Sequence, residues 1–195
     1  INKGEKILLA GPSGSGKSTI GRCLNGLIPN IDQGEVKGKC LVNGKDITST
    51  SLFDFSFTTS TILQDADSQF IGLTVGEDIA FALENDCQPK DKMHQTVNQW
   101  ADELKIKELL TQSPQSLSGG QKQIVALAGV LVDESPILLF DEPLANLDPA
   151  SGLKTMTIID KIQKELNATV IIIEHRVEEV LSQPIDRIIL VNEGT

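Results

Sequence analysis

The sequence contains no tyrosine, one tryptophan (Trp100) and only three cysteines, Cys23, Cys40 and Cys87. An odd number of scattered cysteines gives neither a disulfide framework nor metal-like spacing, so we expect a reduced, cytosolic protein in which Cys23 serves packing. No apolar run approaches the roughly 18 residues that cross a bilayer, and we see no apolar stretch typical of a signal peptide. The sequence therefore argues against a disulfide-rich secreted domain and against a membrane-spanning chain.

Basic residues are scarce relative to acidic ones: 17 lysines and arginines compare with 27 aspartates and glutamates, a formal net charge of −10. Such a surface repels nucleic acid overall, so we expect no nucleic-acid partner. The 195 residues, 39% of them hydrophobic, suit one domain with a substantial core. The positions of the first motif and the last strand-like run lead us to expect a piece of a longer protein.

A glycine-rich run at residues 11–19 follows the pattern G-x-x-x-x-G-K-[ST]. The apolar residues 7–10 before it predict a buried strand, and residues 20–27 after it predict a helix. A strand, a glycine-rich turn and a helix N-terminus together present backbone N–H groups to phosphates. In such a site Lys17 reaches the β- and γ-phosphates and the Ser18 hydroxyl ligates Mg²⁺. We predict a nucleotide site formed by Gly11, Pro12, Ser13, Gly14, Ser15, Gly16, Lys17, Ser18 and Thr19.

Strand-like runs alternate with helical runs, which predicts an α/β fold with a mostly parallel sheet. Further core strands are predicted at residues 59–63, 137–140, 170–173 and 185–191. Residues 27–34 are predicted as a loop, and residues 35–42 as an edge strand or hairpin that turns at Asn43-Gly44. Helices are predicted at residues 75–84, 90–104, 106–110, 121–132, 149–166 and 176–181. We therefore expect a core of residues 1–64 and 133–195, with a helical subdomain inserted at residues 65–132.

Two adjacent carboxylates, Asp141 and Glu142, follow the fully apolar run at residues 137–140. A carboxylate at the carboxyl end of a buried strand can face the Mg²⁺ beside Ser18, and its neighbour can accept a proton from attacking water. Taken alone, the pair is equally compatible with two solvated acids that cap a strand. The phosphate loop in the same chain favours the catalytic interpretation.

The run Ser118-Gly119-Gly120-Gln121 begins a predicted helix with a capping box. In this motif the side chains of Ser118 and Gln121 each accept a hydrogen bond from the other residue's backbone N–H. The paired glycines leave the first N–H groups unobstructed, as in an anion site. One chain needs only one cradle for the γ-phosphate, so this second cradle predicts a site completed by another copy or partner. The alternative is an ordinary helix cap.

In order and spacing, these motifs resemble those of an ATP-binding cassette (ABC) ATPase over nearly the whole chain. The resemblance depends on the phosphate loop, Gln64 after a strand, residues 117–121, Asp141-Glu142, residues 145–148 and His175. It implies a P-loop NTPase (RecA-like) fold that binds ATP and Mg²⁺ and dimerises with a second ABC ATPase domain. It also implies antiparallel strands upstream of the phosphate loop, with an aromatic residue that stacks on adenine. We expect the strands to be missing here, because nothing precedes Ile1 in the sequence. We expect the stacking residue to be missing as well, because the sequence has no tyrosine and its one tryptophan, Trp100, lies in the helical insertion.

The resemblance implies a role for each matching residue. For nucleotide binding it implies that Lys17 holds the phosphates and that Ser18, Asp141 and Gln64 interact with the Mg²⁺ ion. For catalysis it implies that Glu142 is the general base and that His175 contacts the γ-phosphate. Across the dimer it implies that the run Ser118, Gly119, Gly120 and Gln121 closes over the opposite subunit's nucleotide, with Asp148 crossing the seam. The other histidine, His94, lies in a polar helix and is expected to be solvated.

A finer resemblance, to the ATPase subunits of energy-coupling-factor (ECF) vitamin and metal importers, lies in residues 64–70, 74–81 and 174–180. It implies that a transmembrane coupling protein docks near Gln64–Phe81, on an apolar face of Phe70, Val75, Ile79 and Phe81. The protein would then lie peripherally at the cytoplasmic face of the membrane. The alternative is that these side chains only pack the subdomain.

A soluble ABC ATPase acting on DNA or ribosomes is the alternative function. DNA-repair members of the superfamily insert a very long coiled coil between the glutamine and the signature serine, but Gln64 and Ser118 are only 54 positions apart. Ribosomal members carry basic linkers, and none is visible in this sequence. The resemblance therefore favours a membrane importer, without naming the transported solute.

Overall fold

Five short strands form one parallel sheet in the computed structural model, which describes residues 1–32, 35–64 and 66–194. All pairings within this sheet are parallel. This confirms the predicted α/β fold with a mostly parallel sheet. In spatial order the strands are β4 (Thr59–Ile62), β5 (Ile137–Asp141), β6 (Thr169–Ile173), β1 (Lys6–Ala10) and β7 (Arg187–Leu190).

The strands β1 and β6 are buried along their whole length because helices cover both faces of the sheet. Every residue of β1 and of β6 is buried, and Leu8 lies beside Ile172 and Ile188 in the register. In a parallel sheet all carboxyl ends lie at one edge, and ligands bind in the crevice outside that edge. The fold therefore brings together the residues that follow β1, β4, β5 and β6.

The helices are α1 (Lys17–Leu24), α2 (Leu27–Asn30), α3 (Leu52–Ser56), α4 (Val75–Asn85), α5 (Lys90–Glu103), α6 (Gly119–Leu131), α7 (Pro149–Leu166) and α8 (Val177–Val180). Single 3₁₀ turns lie at Ala66–Gln69, Lys107–Leu109 and Pro114–Ser116. An antiparallel hairpin pairs β2 (Leu41–Val42) with β3 (Lys45–Asp46) across the predicted turn. Within the described residues, no helix has both the length and the apolar character needed to cross a bilayer.

Side chains at three helix starts fix where the longer helices begin. Thr74 and Glu77 form a capping box before α4, and Ser118 and Gln121 form the predicted one before α6. Asp148 caps α7 by accepting hydrogen bonds from two backbone N–H groups, and a proline occupies the first turn as predicted.

Among the described residues the hydrophobic core has three parts: one on each face of the sheet, and a small one in which Val42, Ile47 and Phe55 join the β2–β3 hairpin to α3. The larger part joins sheet residues such as Leu8 and Ile172 to the buried sides of α4, α5, α6 and α7. On the other face α1 approaches the sheet so closely that a Cβ added to Gly21 would lie 2.9 Å from Ile173 Cδ1. Close packing of α1 holds the phosphate loop firmly against the sheet edge.

The structure differs from several predicted boundaries. Helix α1 begins at Lys17 rather than at residue 20, because the glycine-rich loop winds directly into the helix. The predicted loop at residues 27–34 contains the short α2, and only the last two residues of the predicted strand 35–42 pair. The predicted helix at residues 106–110 is a 3₁₀ turn, and α3, capped by Ser51, was not predicted. Gln33, Gly34, Asp65 and Thr195 fall within predicted segments but lie outside the described residues.

The predicted apolar docking face is wrong for two of its four members. Val75 and Ile79 are completely buried in the core, because they lie on the side of α4 that faces α6 and the sheet. Phe70 is half-buried against the same core, and only Phe81 is exposed. Exposed apolar residues that the prediction omitted, Ile71 and Leu73, lie in the same segment.

Candidate functional site

The phosphate loop connects the carboxyl end of β1 to the N-terminus of α1. Gly16 precedes α1 with φ 103°, a left-handed conformation that favours glycine, and no side chain caps the helix. The first N–H groups of α1 are therefore available to an anion. Lys17 is buried, and its Nζ donates to the carbonyls of Gly11 (2.9 Å) and Pro12 (2.8 Å) at the start of the loop. The buried lysine and the uncapped N–H groups at the start of α1 together have the arrangement that the sequence predicts for a phosphate-binding loop.

A close approach between the loop and the end of β7 requires glycine at position 11. A Cβ added there would lie 2.1 Å from the carbonyl oxygen of Val191, while the Val191 N–H donates to Ala10 at 2.8 Å. Further along, the Gly194 N–H donates to the Ser15 carbonyl at 3.1 Å. Sequence reasoning missed Val191 and Gly194, because nothing in an apolar strand indicates which carbonyl will touch a loop.

Ser18 and Asp141 supply hard oxygen ligands side by side. The Ser18 hydroxyl donates to Asp141 Oδ1 at 3.4 Å, and burial together with the neighbouring Glu142 raises the pKa of the Asp141 carboxyl. Among the described residues, no group of three or more Asp, Glu, His or Cys side chains could hold a metal ion. Mg²⁺ characteristically takes one or two protein ligands and completes its shell with substrate phosphates and water. The pair therefore fits a Mg²⁺ ion that arrives with a nucleotide.

Three predicted catalytic residues meet at the ends of β4, β5 and β6. The amide Nε2 of Gln64 donates to Glu142 Oε2 at 2.8 Å, and His175 Nδ1 lies 3.8 Å from the same oxygen. The side chains of Gln64 and His175 are exposed, whereas that of Glu142 is mostly covered. A carboxylate between an amide and an imidazole, at the mouth of a phosphate cradle, can accept a proton from a water molecule.

Glu142 adopts a backbone conformation that is uncommon for a residue with a side chain. Its φ is 52°, and such left-handed conformations persist where the surroundings over-determine them, often at functional sites. Its N–H donates to the Ile173 carbonyl at 2.8 Å, and its own carbonyl accepts from Ala145 at 3.0 Å. These bonds turn the chain sharply after β5 and hold the Glu142 side chain at the sheet edge.

The predicted signature residues lie on a second surface of the molecule. Helix α6 begins beside the segment that follows Glu142: a Cβ on Gly119 would lie 3.8 Å from the Asn146 carbonyl oxygen. Asp148 accepts bonds from Ser151, whose hydroxyl lowers the pKa of the Asp148 carboxyl. The structure therefore groups the start of α6 with the segment from Asn146 to Ser151, which contains Asp148.

Two charged residues beside the catalytic group were assigned no role from the sequence. Glu174 is completely buried between Ile173 and His175, and Arg176 bonds to carbonyls of the segment after Glu142. The only signal in the sequence is the Glu-His-Arg run itself, since burial of a glutamate cannot be seen from composition. Trp100 is buried among the helices, which leaves its ring unavailable for stacking on a base.

Comparison with known proteins agrees with this geometry. The family profile described as ABC transporter matches residues 1–145 of the chain. An ABC transporter ATP-binding protein of Lactobacillus johnsonii is 98% identical over all 195 residues, and one of Streptococcus mutans is 61% identical over 194 residues. The chain covers only 34% and 35% of the lengths of these two relatives.

A solved structure shows the same fold. The structure of cbiO1 from Clostridium perfringens, part of the ABC transporter complex cbiONQ, superposes with a TM-score of 0.88 at 32% identity. The match covers all of this chain and 76% of that one. With the phosphate loop and the carboxylate pair where the sequence predicts them, the chain belongs to the ABC transporter family and has the P-loop NTPase fold of its ATP-binding ATPases.

Proposed function

We propose that this chain is the ATP-hydrolysing domain that powers a membrane importer, of the ECF type for a vitamin, vitamin precursor or metal ion. The observation that carries the proposal is the contact of Gln64 with Glu142, and the approach of His175 to it, at the mouth of the phosphate loop. The likeness to cbiO1, part of an ABC transporter complex, supports the importer assignment.

The phosphate loop binds and orients the nucleotide. Lys17 turns from the loop carbonyls to the β- and γ-phosphates, and the first N–H groups of α1 hold the remaining phosphate oxygens. Ser18 and Asp141 hold the Mg²⁺ ion, which supplies charge neutralisation of the phosphates when it is bound. Glu142 lies beside these groups and is free of any lysine or arginine partner among the described residues.

Hydrolysis needs a proton acceptor for the attacking water. Glu142 takes a proton from water as the water oxygen bonds to the γ-phosphorus, and the bond from that phosphorus to the ADP oxygen breaks. Gln64 donates to Glu142 Oε2 and leaves the other carboxylate oxygen, Oε1, for the water. His175 contacts the γ-phosphate and orients the carboxylate.

A second ABC ATPase domain completes each site. Ser118, Gly119, Gly120 and Gln121 form the capped, glycine-rich start of α6, which closes over the nucleotide of the opposite domain while Asp148 crosses the seam. The exposed, capped and glycine-rich start of α6, which the chain's own reaction does not use, supports a role in trans. We also propose that residues 65–132 act as a helical subdomain, and that residues 1–64 and 133–195 form the core.

A transmembrane coupling protein docks on the apolar surface near Gln64–Phe81. Exposed Ile71, Leu73 and Phe81 support this position. A groove of about 390 Å³, which we call the α3–α4 groove, lies between α3 and α4 and includes Ala82, the residue after Phe81. It is lined by Leu52, Phe53, Ser56, Phe57, Ala82, Asn85, Asp86 and Asp133. Docking there would place the protein peripherally at the cytoplasmic face of the membrane. The protein's net charge of −10 disfavours a nucleic-acid partner.

Substitution of the general base tests the proposed reaction. In the full-length protein we expect Glu142→Gln to retain ATP binding and to lower turnover by about 10²–10⁴-fold, the usual contribution of a general base. Because bound ATP is no longer consumed, we expect the variant to elute as a closed dimer in size-exclusion chromatography with Mg-ATP.

The matched control is Glu108→Gln, an exposed glutamate in the 3₁₀ turn at Lys107–Leu109, which should leave turnover and binding unchanged. Turnover of Glu142→Gln within a few-fold of the wild type would show that Glu142 is not the base. Absence of ATPase activity in the wild-type protein itself would contradict the proposed function.

A further inference from the structure

Glu174 is a completely buried carboxylate that the proposed reaction does not use. A buried charge is costly unless hydrogen bonds satisfy it, and Glu174 has four polar partners. Its Oε1 accepts from the backbone N–H groups of His175 (2.8 Å) and Arg176 (3.1 Å) and lies 3.2 Å from His175 Nδ1. Its Oε2 accepts from the N–H of Leu144 at 3.1 Å. One carboxylate therefore joins the segment after β6 to the segment after β5.

Arg176 makes the same connection from the other side. Its Nη1 donates to the carbonyls of Leu144 (2.7 Å) and Leu147 (2.9 Å), which lie on either side of a turn at residues 144–147. Its Nε and Nη2 donate to Glu179 Oε1 at 3.1 and 2.8 Å, which fixes the guanidinium plane. The backbone of Leu144 is thus held at both ends, its N–H by Glu174 and its carbonyl by Arg176.

The turn at residues 144–147 connects the two functional surfaces. It begins two residues after Glu142, whose carbonyl accepts from Ala145, and it ends at Asp148, the cap of α7. The carbonyl of Asn146 approaches the start of α6 at Gly119. A displacement of this turn would therefore move both the base and the surface offered to the opposite domain.

We propose that Glu174 and Arg176 are positioning residues that hold His175 and the turn at residues 144–147 as one rigid unit. Glu174 Oε1 accepts from the backbone N–H of His175 and lies 3.2 Å from its Nδ1, which orients the imidazole and leaves Nε2 for the γ-phosphate. Arg176 holds the turn through two carbonyls at once, which needs the fork of a guanidinium. The inference rests on the proposed ATP hydrolysis for its catalytic consequence, whereas the rigid unit itself can be measured without turnover.

Substitution of Arg176 by lysine in the full-length protein tests the proposal. Lysine keeps the charge, but its single ammonium cannot reach both carbonyls and Glu179 in the same geometry. We expect kcat for ATP to fall about tenfold or more with KM within about twofold, because misplaced catalytic groups slow the reaction while the phosphate loop still binds. We also expect amide hydrogen exchange to rise at least about tenfold in peptides covering residues 142–152, with no change in peptides covering residues 11–24.

Arg187→Lys is the matched control, because Arg187 pairs with Glu5 at 2.7 Å on the exposed side of β7. It should change neither kcat nor exchange at residues 142–152. Glu174→Gln is a second variant of equal shape; its amide NH₂ cannot accept from the buried N–H groups, so the same peptides should exchange faster.

The two readouts separate failure of this inference from failure of the proposed function. Unchanged exchange at residues 142–152 in Arg176→Lys would overturn the rigid unit, whatever the activity. Faster exchange in residues 11–24 to the same extent, or unchanged kcat, would show a general structural role and would overturn the positioning role. An inactive wild-type protein would refute the ATPase proposal, and the exchange comparison would still decide whether the unit exists.

Discussion

Three carboxyl groups that are buried or half-buried in this chain differ in the groups that form hydrogen bonds or ion pairs with them. Glu174 is held by N–H groups, whereas Asp160 is paired with Lys6 and Lys164. Burial raises the pKa of the Asp160 carboxyl, but hydrogen bonds from the two lysines outweigh burial, so that its pKa lies below the ordinary value. Asp133, half-buried in the α3–α4 groove, has the Ser60 hydroxyl at 3.4 Å as its one hydrogen-bond partner among the described residues, and burial together with Asp86 raises its pKa to about 6. Ionisation of Asp133 therefore costs the folded state stability.

Replacement of Asp133 by asparagine should stabilise the protein at neutral pH. The folded-state pKa of about 6 lies above the ordinary 3.8, so the folded state holds a proton that the unfolded chain has lost. The wild-type free energy of unfolding therefore falls as the pH rises from about 4 to about 6, whereas asparagine cannot ionise. At pH 7.5 we expect a gain of about 1–2 kcal/mol, less than the full shift implies because the site is partly solvated.

Urea unfolding at pH 4, 6 and 7.5 measures this difference, which should shrink toward zero at the lowest pH. Asp91→Asn, on the exposed first turn of α5, serves as the control without such a pH-dependent gain. Equal stability of the wild type and Asp133→Asn at pH 7.5 would show that the groove leaves Asp133 well solvated.

Among the secondary-structure elements, α1 and α6 each contain an interior glycine, and their packing gives these glycines opposite roles. In α1 a Cβ on Gly21 would lie 2.9 Å from Ile173 Cδ1 and 3.5 Å from Leu139 Cδ2. In α6 a Cβ on Gly129 would meet no atom within 4 Å among the described residues. Sequence propensity treats both positions alike, and only the neighbouring elements distinguish them.

Alanine substitutions at these two positions should therefore change stability in opposite directions. We expect Gly129→Ala to raise the free energy of unfolding by about 0.5–1 kcal/mol, the usual difference in helix propensity. We expect Gly21→Ala to lower it by about 1–3 kcal/mol through overpacking against the sheet. Thermal melting of both variants checks the pair; stabilisation by Gly21→Ala would mean that Ile173 repacks without cost.

For the molecule as a whole, the α3–α4 groove is the surface on which we propose that the membrane partner docks. Phe53 and Phe57 form one wall, with their rings edge to face at 5.1 Å, and Phe53 is 68% exposed. Such an exposed aromatic pair is typical of an interaction surface.

We expect the double substitution Phe53→Ser and Phe57→Ser in the full-length protein to lower its membrane-bound fraction at least about tenfold, since aromatic residues at interfaces frequently contribute 1–2 kcal/mol each. Sedimentation of membranes from cells that express the native partners measures this fraction, and ATP affinity should be unchanged. Leu181→Ser, an exposed apolar residue outside the groove, is the control. Full membrane association of the double variant would place the docking surface elsewhere.

The sequence by itself determined the α/β class, the parallel sheet, the phosphate loop and the carboxylate pair. These features depend on short-range patterns: apolar runs of strand length, a glycine-rich turn, a capping box and a proline at a helix start. Each is encoded within about ten neighbouring residues, so each can be predicted without knowing what packs against it.

Only the tertiary structure decided what depends on contacts between distant segments. Val75 and Ile79 are core rather than docking residues because α4 turns that side toward α6 and the sheet. Gly11 is required because Val191, 180 positions away, touches the loop. The Glu174–Leu144 and Arg176–Leu147 bonds exist because parallel pairing of β5 with β6 brings the ends of two separate strands together. No local pattern encodes such contacts, since burial and hydrogen-bond partners are properties of the assembled sheet edge.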